Sequence, residues 1–124
     1  MNKPKIVDPT FPTDVLKRSQ KIFGREYQMG IAVEELSELQ KELLKNTNRK
    51  KDNIPEIIDE TADVYISLCH IIVSYNIHDA VQNRVMDKIK RLDERLKIRE
   101  SASSLEEYTR MCEEAKAKQN QKTK

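Results

Sequence analysis

Apolar residues recur at three- and four-residue steps along most of the chain, the spacing of amphipathic helices rather than of strands. Val15, Leu16, Ile22 and Phe23 supply the apolar side of a first helix after Thr13 and Asp14, which offer N-cap chemistry. Gly24 marks a break before a longer helix over about 25–45, where Met29, Ala32, Leu36, Leu39 and Leu43 form a core-facing stripe. Glu34, Glu35, Glu38 and Glu42 fall on the other side of that cylinder. A polar, basic loop over 46–53 leads to Pro55, which suits the first turn of the next helix, about 54–76. That helix is the most apolar, and its apolar positions cover more than half its circumference. Two neighbours from the same chain would leave part of it wet. A fourth helix, about 79–99, carries Val81, Val85, Ile89, Leu92 and Leu96, with Arg84, Lys88, Arg91 and Arg95 running beside them. The serines of 101–104 interrupt the pattern and can cap a short amphipathic piece over about 105–117; the closing KQNQKTK reads as disordered.

The organisation expected is an extended arm over 1–12, set by Pro4, Pro9 and Pro12, an all-α domain over 13–99, and a short helix with a disordered tail over 100–124. Completing the apolar circumference of the third helix calls for oligomerisation. The simplest form is a symmetric homodimer that closes a four-helix bundle, and a homotetramer is the next. Composition agrees: 35% charged residues, 5% aromatics, two glycines and no tryptophan argue against a sandwich or barrel.

The net charge of +2, from 23 Lys and Arg against 21 Asp and Glu, supplies no field for a nucleic-acid partner. No stretch is long and apolar enough to span a membrane, and the opening residues lack the apolar centre of a signal peptide. Cys69 in an apolar run and Cys112 in a polar one make neither a zinc spacing nor a disulfide framework. A reducing, cytoplasmic setting is expected.

Chemistry concentrates in two segments, Glu34-Glu35-Leu-Ser-Glu38 and Glu60-Thr-Ala-Asp63. A spacing of three places two carboxylates on neighbouring parts of one helical face. Two such helices face to face bring four carboxylates together, a donor set suited to a hard divalent cation with positions left for water and phosphate. Either pair alone is ordinary solvated surface. Asp63 is less ordinary, because a mediocre helix former here opens the most apolar run in the chain.

The order EELSELQ, a basic loop, DETADVYISL and then KIKRLDERL resembles the all-α nucleoside triphosphate pyrophosphohydrolases of the MazG-like superfamily, nearest to small single-domain members, over residues 25–97. The resemblance implies a helical bundle of that type, in which Glu35, Glu38, Glu60 and Asp63 hold Mg2+, with Mn2+ as a substitute. Glu34 would orient water or take its proton. Lys88, Arg91 and Arg95 would reach substrate phosphates. Asp59 stands where many relatives carry Glu, a mild departure. The implied reaction is Mg2+-dependent hydrolysis of a nucleoside triphosphate, ribo or deoxy, to the monophosphate and pyrophosphate.

A non-enzymatic helical oligomerisation or interaction protein is the alternative, since it explains the amphipathic helices without a metal. A di-iron carboxylate bundle asks for Glu-x-x-His twice, and neither histidine follows a glutamate at that spacing. The remaining residues read as structure. His70 is a polar or partly buried helix residue, Ser67 and Ser74 allow close packing, and Tyr65 and Tyr75 belong to a core or interface. Tyr27 and Gln28, a turn before the glutamates, could contact a base or sugar.

Overall fold

The computed structural model describes residues 11–122, and all its elements are helices: α1 Thr13–Phe23, α2 Arg25–Arg49, α3 Ile54–Tyr75, α4 His78–Ser101 and α5 Leu105–Lys122. Of the arm expected over 1–12, only Phe11 and Pro12 lie within the described residues; of the tail, residues 123 and 124 lie outside them. The chain divides into two units between Val81 and Gln82, inside the first turn of α4.

In the first unit α1, α2 and α3 pack on one another. The helix begins at Thr13 without the expected side-chain cap, and Asp14 sits in its first turn. Gly24 separates α1 from α2 with φ 91° and ψ 158°. A Cβ there would meet nothing within 4 Å, so the position requires glycine for its backbone angles, not for room. Leu16 packs with Cys69 and Ile72 in the core, and Phe11, Val73 and Val81 lean against them. Gln20 donates from Nε2 to the His70 carbonyl at 2.9 Å, tying α1 to α3.

The helix α2 runs four residues past its expected end. Thr47 Oγ1 donates to the Leu43 carbonyl within the helix, and the Asn46 amide donates to the Lys51 carbonyl and to Asn53 Oδ1 beyond its end, so the polar segment finds local partners. Lys50, at φ 50°, ends α2 in the left-handed conformation, and the Lys51 N–H reaches back to the Lys45 carbonyl at 3.2 Å. Pro55 lies in the first turn of α3, as expected, and Asn76 closes that helix at φ 51°.

The face that α2 buries overlaps the expected stripe only in part: Ala32 is buried and Met29 and Leu39 are half-buried, but the buried seam is shifted towards polar residues. Gln28, Ala32 and Glu42 are buried and Glu35 and Leu39 half-buried, a seam at steps of four and three. Leu36 and Leu43, expected in the core, remain 47% and 45% exposed, and Val33 lies open beside them. On α3, Ile58, Tyr65 and Leu68 are likewise exposed. Among the described residues the buried apolar set is Leu16, Ala32, Val64, Cys69 and Ile72. At about 1.5–3 kcal/mol for each large side chain buried, so thin a core contributes little against the apolar surface left in water.

In the second unit, α5 follows the serine cap. The Glu107 N–H donates to Ser104 Oγ at 3.1 Å, and the Glu107 carboxylate accepts from the N–H and hydroxyl of Ser103. The helix continues to Lys122, so residues 118–122 are helical where the sequence reads as disordered. Lys and Gln are good helix formers, and no Gly or Pro stops them. Arg99 lies over the Tyr108 ring at 5.9 Å. None of α4 is buried, and the stripe Val85, Ile89, Leu92 and Leu96, expected to face a core, is open to solvent.

Candidate metal centre

The α2–α3 hairpin is anchored at its loop end by Asn53, which is 1% exposed. Its amide donates to the Glu42 carbonyl at 2.9 Å and to Glu42 Oε2 at 2.7 Å, while Lys45 Nζ holds Glu42 Oε1 at 3.0 Å. The donated bond from Asn53, and then that from Lys45, hold the Glu42 carboxyl below the ordinary carboxylate range. These contacts fix which residues of the two helices stand level.

Glu35 lies seven residues before Glu42, and Glu60 seven residues after Asn53. Seven residues is about two helical turns, so equal steps from the anchor bring Glu35 and Glu60 to the same height on facing sides. One carboxylate oxygen from each of Glu35, Glu60 and Asp63 lies within 4.8 Å of the others. All three residues are half-buried.

Electrostatically the group repels itself. Burial raises the Glu35 carboxyl above its ordinary value, and Asp63, Glu60, Glu34 and Glu38 raise it further. Burial likewise raises Glu60, followed by Glu38, Asp63, Asp59 and Glu42. No histidine or cysteine belongs to the group, so its donors are hard oxygens, the set preferred by magnesium and manganese.

Three of the four expected ligands therefore converge. Glu38 does not add an oxygen to the group, because its exposed carboxylate pairs with Lys41 at 2.8 Å, one turn further along α2. It still lies close enough to Glu60 to raise it. Glu34 is exposed beside Glu35. Lys88, Arg91 and Arg95 are exposed on α4 in the second unit; Arg91 and Arg95 line a cavity against α5, which Lys88 does not reach.

Of the residues weighed for a base or sugar, Tyr27 stacks on Phe23 at 5.3 Å, and buried Gln28 donates to Ser19 Oγ at 2.8 Å. His70 is buried, and that burial lowers its imidazole below the usual value. Tyr75 lies under the Arg25 guanidinium at 4.8 Å, and the same Arg25 donates to the Ser74 carbonyl and hydroxyl.

Sequence reasoning passed over the Glu42–Asn53 contact. Glu42 reads as one more solvated glutamate, and Asn53 as loop; the available signal was an Asn directly before a helix start with Pro55 two residues on. Comparisons with protein-family models, with curated proteins and with solved structures found no match.

Proposed function

We propose that this chain is a Mg2+-dependent pyrophosphohydrolase that cleaves a nucleoside triphosphate, ribo or deoxy, to the monophosphate and pyrophosphate. The observation that carries this reading is the convergence of Glu35, Glu60 and Asp63 across two helices. Self-repelling carboxylates, partly withdrawn from water, are unfavourable unless a cation compensates them. When bound, a divalent ion supplies charge neutralisation on the phosphates and a more acidic water.

The residues of the chain take the remaining roles. Glu35, Glu60 and Asp63 hold the ion, and Glu38 joins them by giving up Lys41. Glu34, exposed beside Glu35, orients the attacking water or accepts its proton. Lys88, Arg91 and Arg95 carry the cations for the phosphate chain, the arginines in forked geometry. The open stripes of α2 and α3 support a homodimer or homotetramer, whose formation would cover Val33, Leu36 and Leu43 together with Ile58, Tyr65 and Leu68.

Those same stripes also favour the second reading, a helical interaction protein without catalysis. One experiment separates the two. The purified protein is incubated with each common NTP and dNTP, with magnesium or with EDTA, and the products are resolved. A parallel sample carries Glu35→Gln and Asp63→Asn. Pyrophosphate and monophosphate released only with magnesium, and only by the unsubstituted protein, is the expected result. No turnover, with no magnesium effect on melting temperature, would transfer the assignment to the interaction protein.

A further inference from the structure

The second unit contains a cavity of about 320 Å³ between α4 and α5, lined by residues of those two helices alone. That volume is at the small end of the range for ligand sites, about 300–1,000 Å³. Arg91 and Arg95 enter it from α4 and Lys116 from α5, opposed by a single carboxylate, Glu94. Three cations against one anion leave a local charge of about +2, equal and opposite to that of a phosphate monoester near neutral pH. Among the described residues, none of these cations forms an ion pair; the pairs present are those of Lys41, Lys45, His78 and Lys97. Arg91, Arg95 and Lys116 are exposed at the rim of this one cavity, where an anion would offset their like charge.

Ile98, Cys112, Ala115 and the polar Gln119 complete the lining. Ile98, Ala115 and Cys112 are all half-buried, so the cavity offers apolar surface beside the charge. This combination fits an anionic head joined to a short apolar body better than it fits inorganic phosphate alone. Two arginines at i and i+4 on one helix share a face, as a two-sided grip on phosphate oxygens requires.

We infer that the α4–α5 hairpin binds a small organic phosphate monoester, its phosphate between Arg91, Arg95 and Lys116 and its apolar part against Ile98, Ala115 and Cys112. Arg91 and Arg95 are also the cations given above to the substrate's phosphate chain, so the inference rests on that assignment and narrows it to a phosphate held in this cavity; binding without magnesium tests it apart from turnover.

Cys112 reports on occupancy because it lines the cavity, whereas Cys69 is only 2% exposed. The test is the rate of Cys112 alkylation by iodoacetamide in the full chain, followed by mass spectrometry. Phenyl phosphate serves as the probe, phenol as its neutral counterpart and inorganic phosphate as the head alone. Phenyl phosphate is expected to slow alkylation, phenol to leave it unchanged, and inorganic phosphate to act only at higher concentration. Lys116→Gln and Arg95→Gln should each raise the phenyl phosphate concentration needed by about tenfold, the loss of one charge-assisted hydrogen bond. Each variant is referred to its own rate without ligand, which removes effects on the thiol or on the packing of the hairpin. Lys118→Gln removes a charge from α5 outside the cavity lining and should change nothing. Absence of protection, equal protection by phenol, or equal weakening by Lys118→Gln would each overturn the assignment.

Discussion

Asn53→Ala is the sharpest test of how the hairpin is held. In the native chain the Asn53 amide donates to the Glu42 carbonyl and to Glu42 Oε2, and its Oδ1 accepts from Asn46. Alanine removes all three contacts at a site 1% exposed, where water cannot replace them without opening the loop. At about 1 kcal/mol for each hydrogen bond lost, the substitution costs roughly 3 kcal/mol. For a chain of 124 residues, at about 4 °C per kcal/mol, the melting temperature should fall by about 12 °C. Circular dichroism at 222 nm, scanned with temperature, measures this. Asn53→Asp keeps the shape but replaces the donor with a second carboxylate facing Glu42, so it should destabilise more than alanine does. The pH dependence gives an independent sign. Asn53 holds the Glu42 carboxyl below its unfolded value of 4.5, so its contribution is present above that pH and is lost as pH falls through the lower folded value. The gap between native and Asn53→Ala should therefore narrow in acid. An alanine variant melting within about 2 °C of the native protein, or an aspartate variant at least as stable as the alanine one, would refute the reasoning.

Three further outcomes follow from other sites. Burial, and then neighbouring carboxylates, raise the carboxyl pKa values of Glu35 and Glu60, so their charged forms oppose folding at neutral pH, an effect that fades as pH falls through the folded values towards 4.5. Glu35→Gln should thus melt higher than the native protein at pH 7 without metal, by a margin that shrinks towards pH 4.5, and should lose any stabilisation by magnesium; a lower melting temperature at pH 7 contradicts this. Burial lowers the His70 imidazole from 6.5, so the stability of its neutral form is present above 6.5 and is lost as pH falls through the folded value. Its ring resonances, followed by NMR, should titrate below 6.5, and a midpoint at or above that value would exclude the buried neutral form. Leu36→Lys, on the open α2 stripe, should reduce the mass seen by light scattering to that of one chain with little loss of helicity, since exposed substitutions change stability by only about 0.5 kcal/mol. A native protein that is already monomeric would remove the basis for the oligomer.

The five helices were legible because their evidence is local: periodic apolar residues, Gly24 between two helices and Pro55 at a helix start. Ends were less so. The polar run after Lys45 resembles a loop, yet it stays helical to Arg49, with Thr47 bonding back to Leu43 and Asn46 reaching forward to Lys51 and Asn53. The larger miss concerns faces. The pattern on α2 identifies the side that avoids water, but not what covers it. In the folded chain α2 turns Gln28, Glu35 and Glu42 inward and leaves Leu36 and Leu43 outside. The convergence of Glu35, Glu60 and Asp63 was readable because spacing alone puts each pair on one face. That Glu38 stands apart was not, because its partnership with Lys41 competes on equal terms and depends on side-chain placement.

The way the hairpin counts from its anchor sets the kind of sequence change it can absorb. Glu35 meets Glu60 because the two spans leading away from Glu42 and Asn53 are equally long. Exchanging one residue for another within those spans leaves the count intact. Inserting or deleting a single residue in either one rotates everything beyond it by about 100° around its helix and slides it along the axis by about 1.5 Å. One carboxylate would then point away from the others even if every side chain were retained. Length variation among chains built on this plan is thus confined to the turn itself or to the ends, since an equal change in the other span would restore the height but turn both carboxylates off their facing sides.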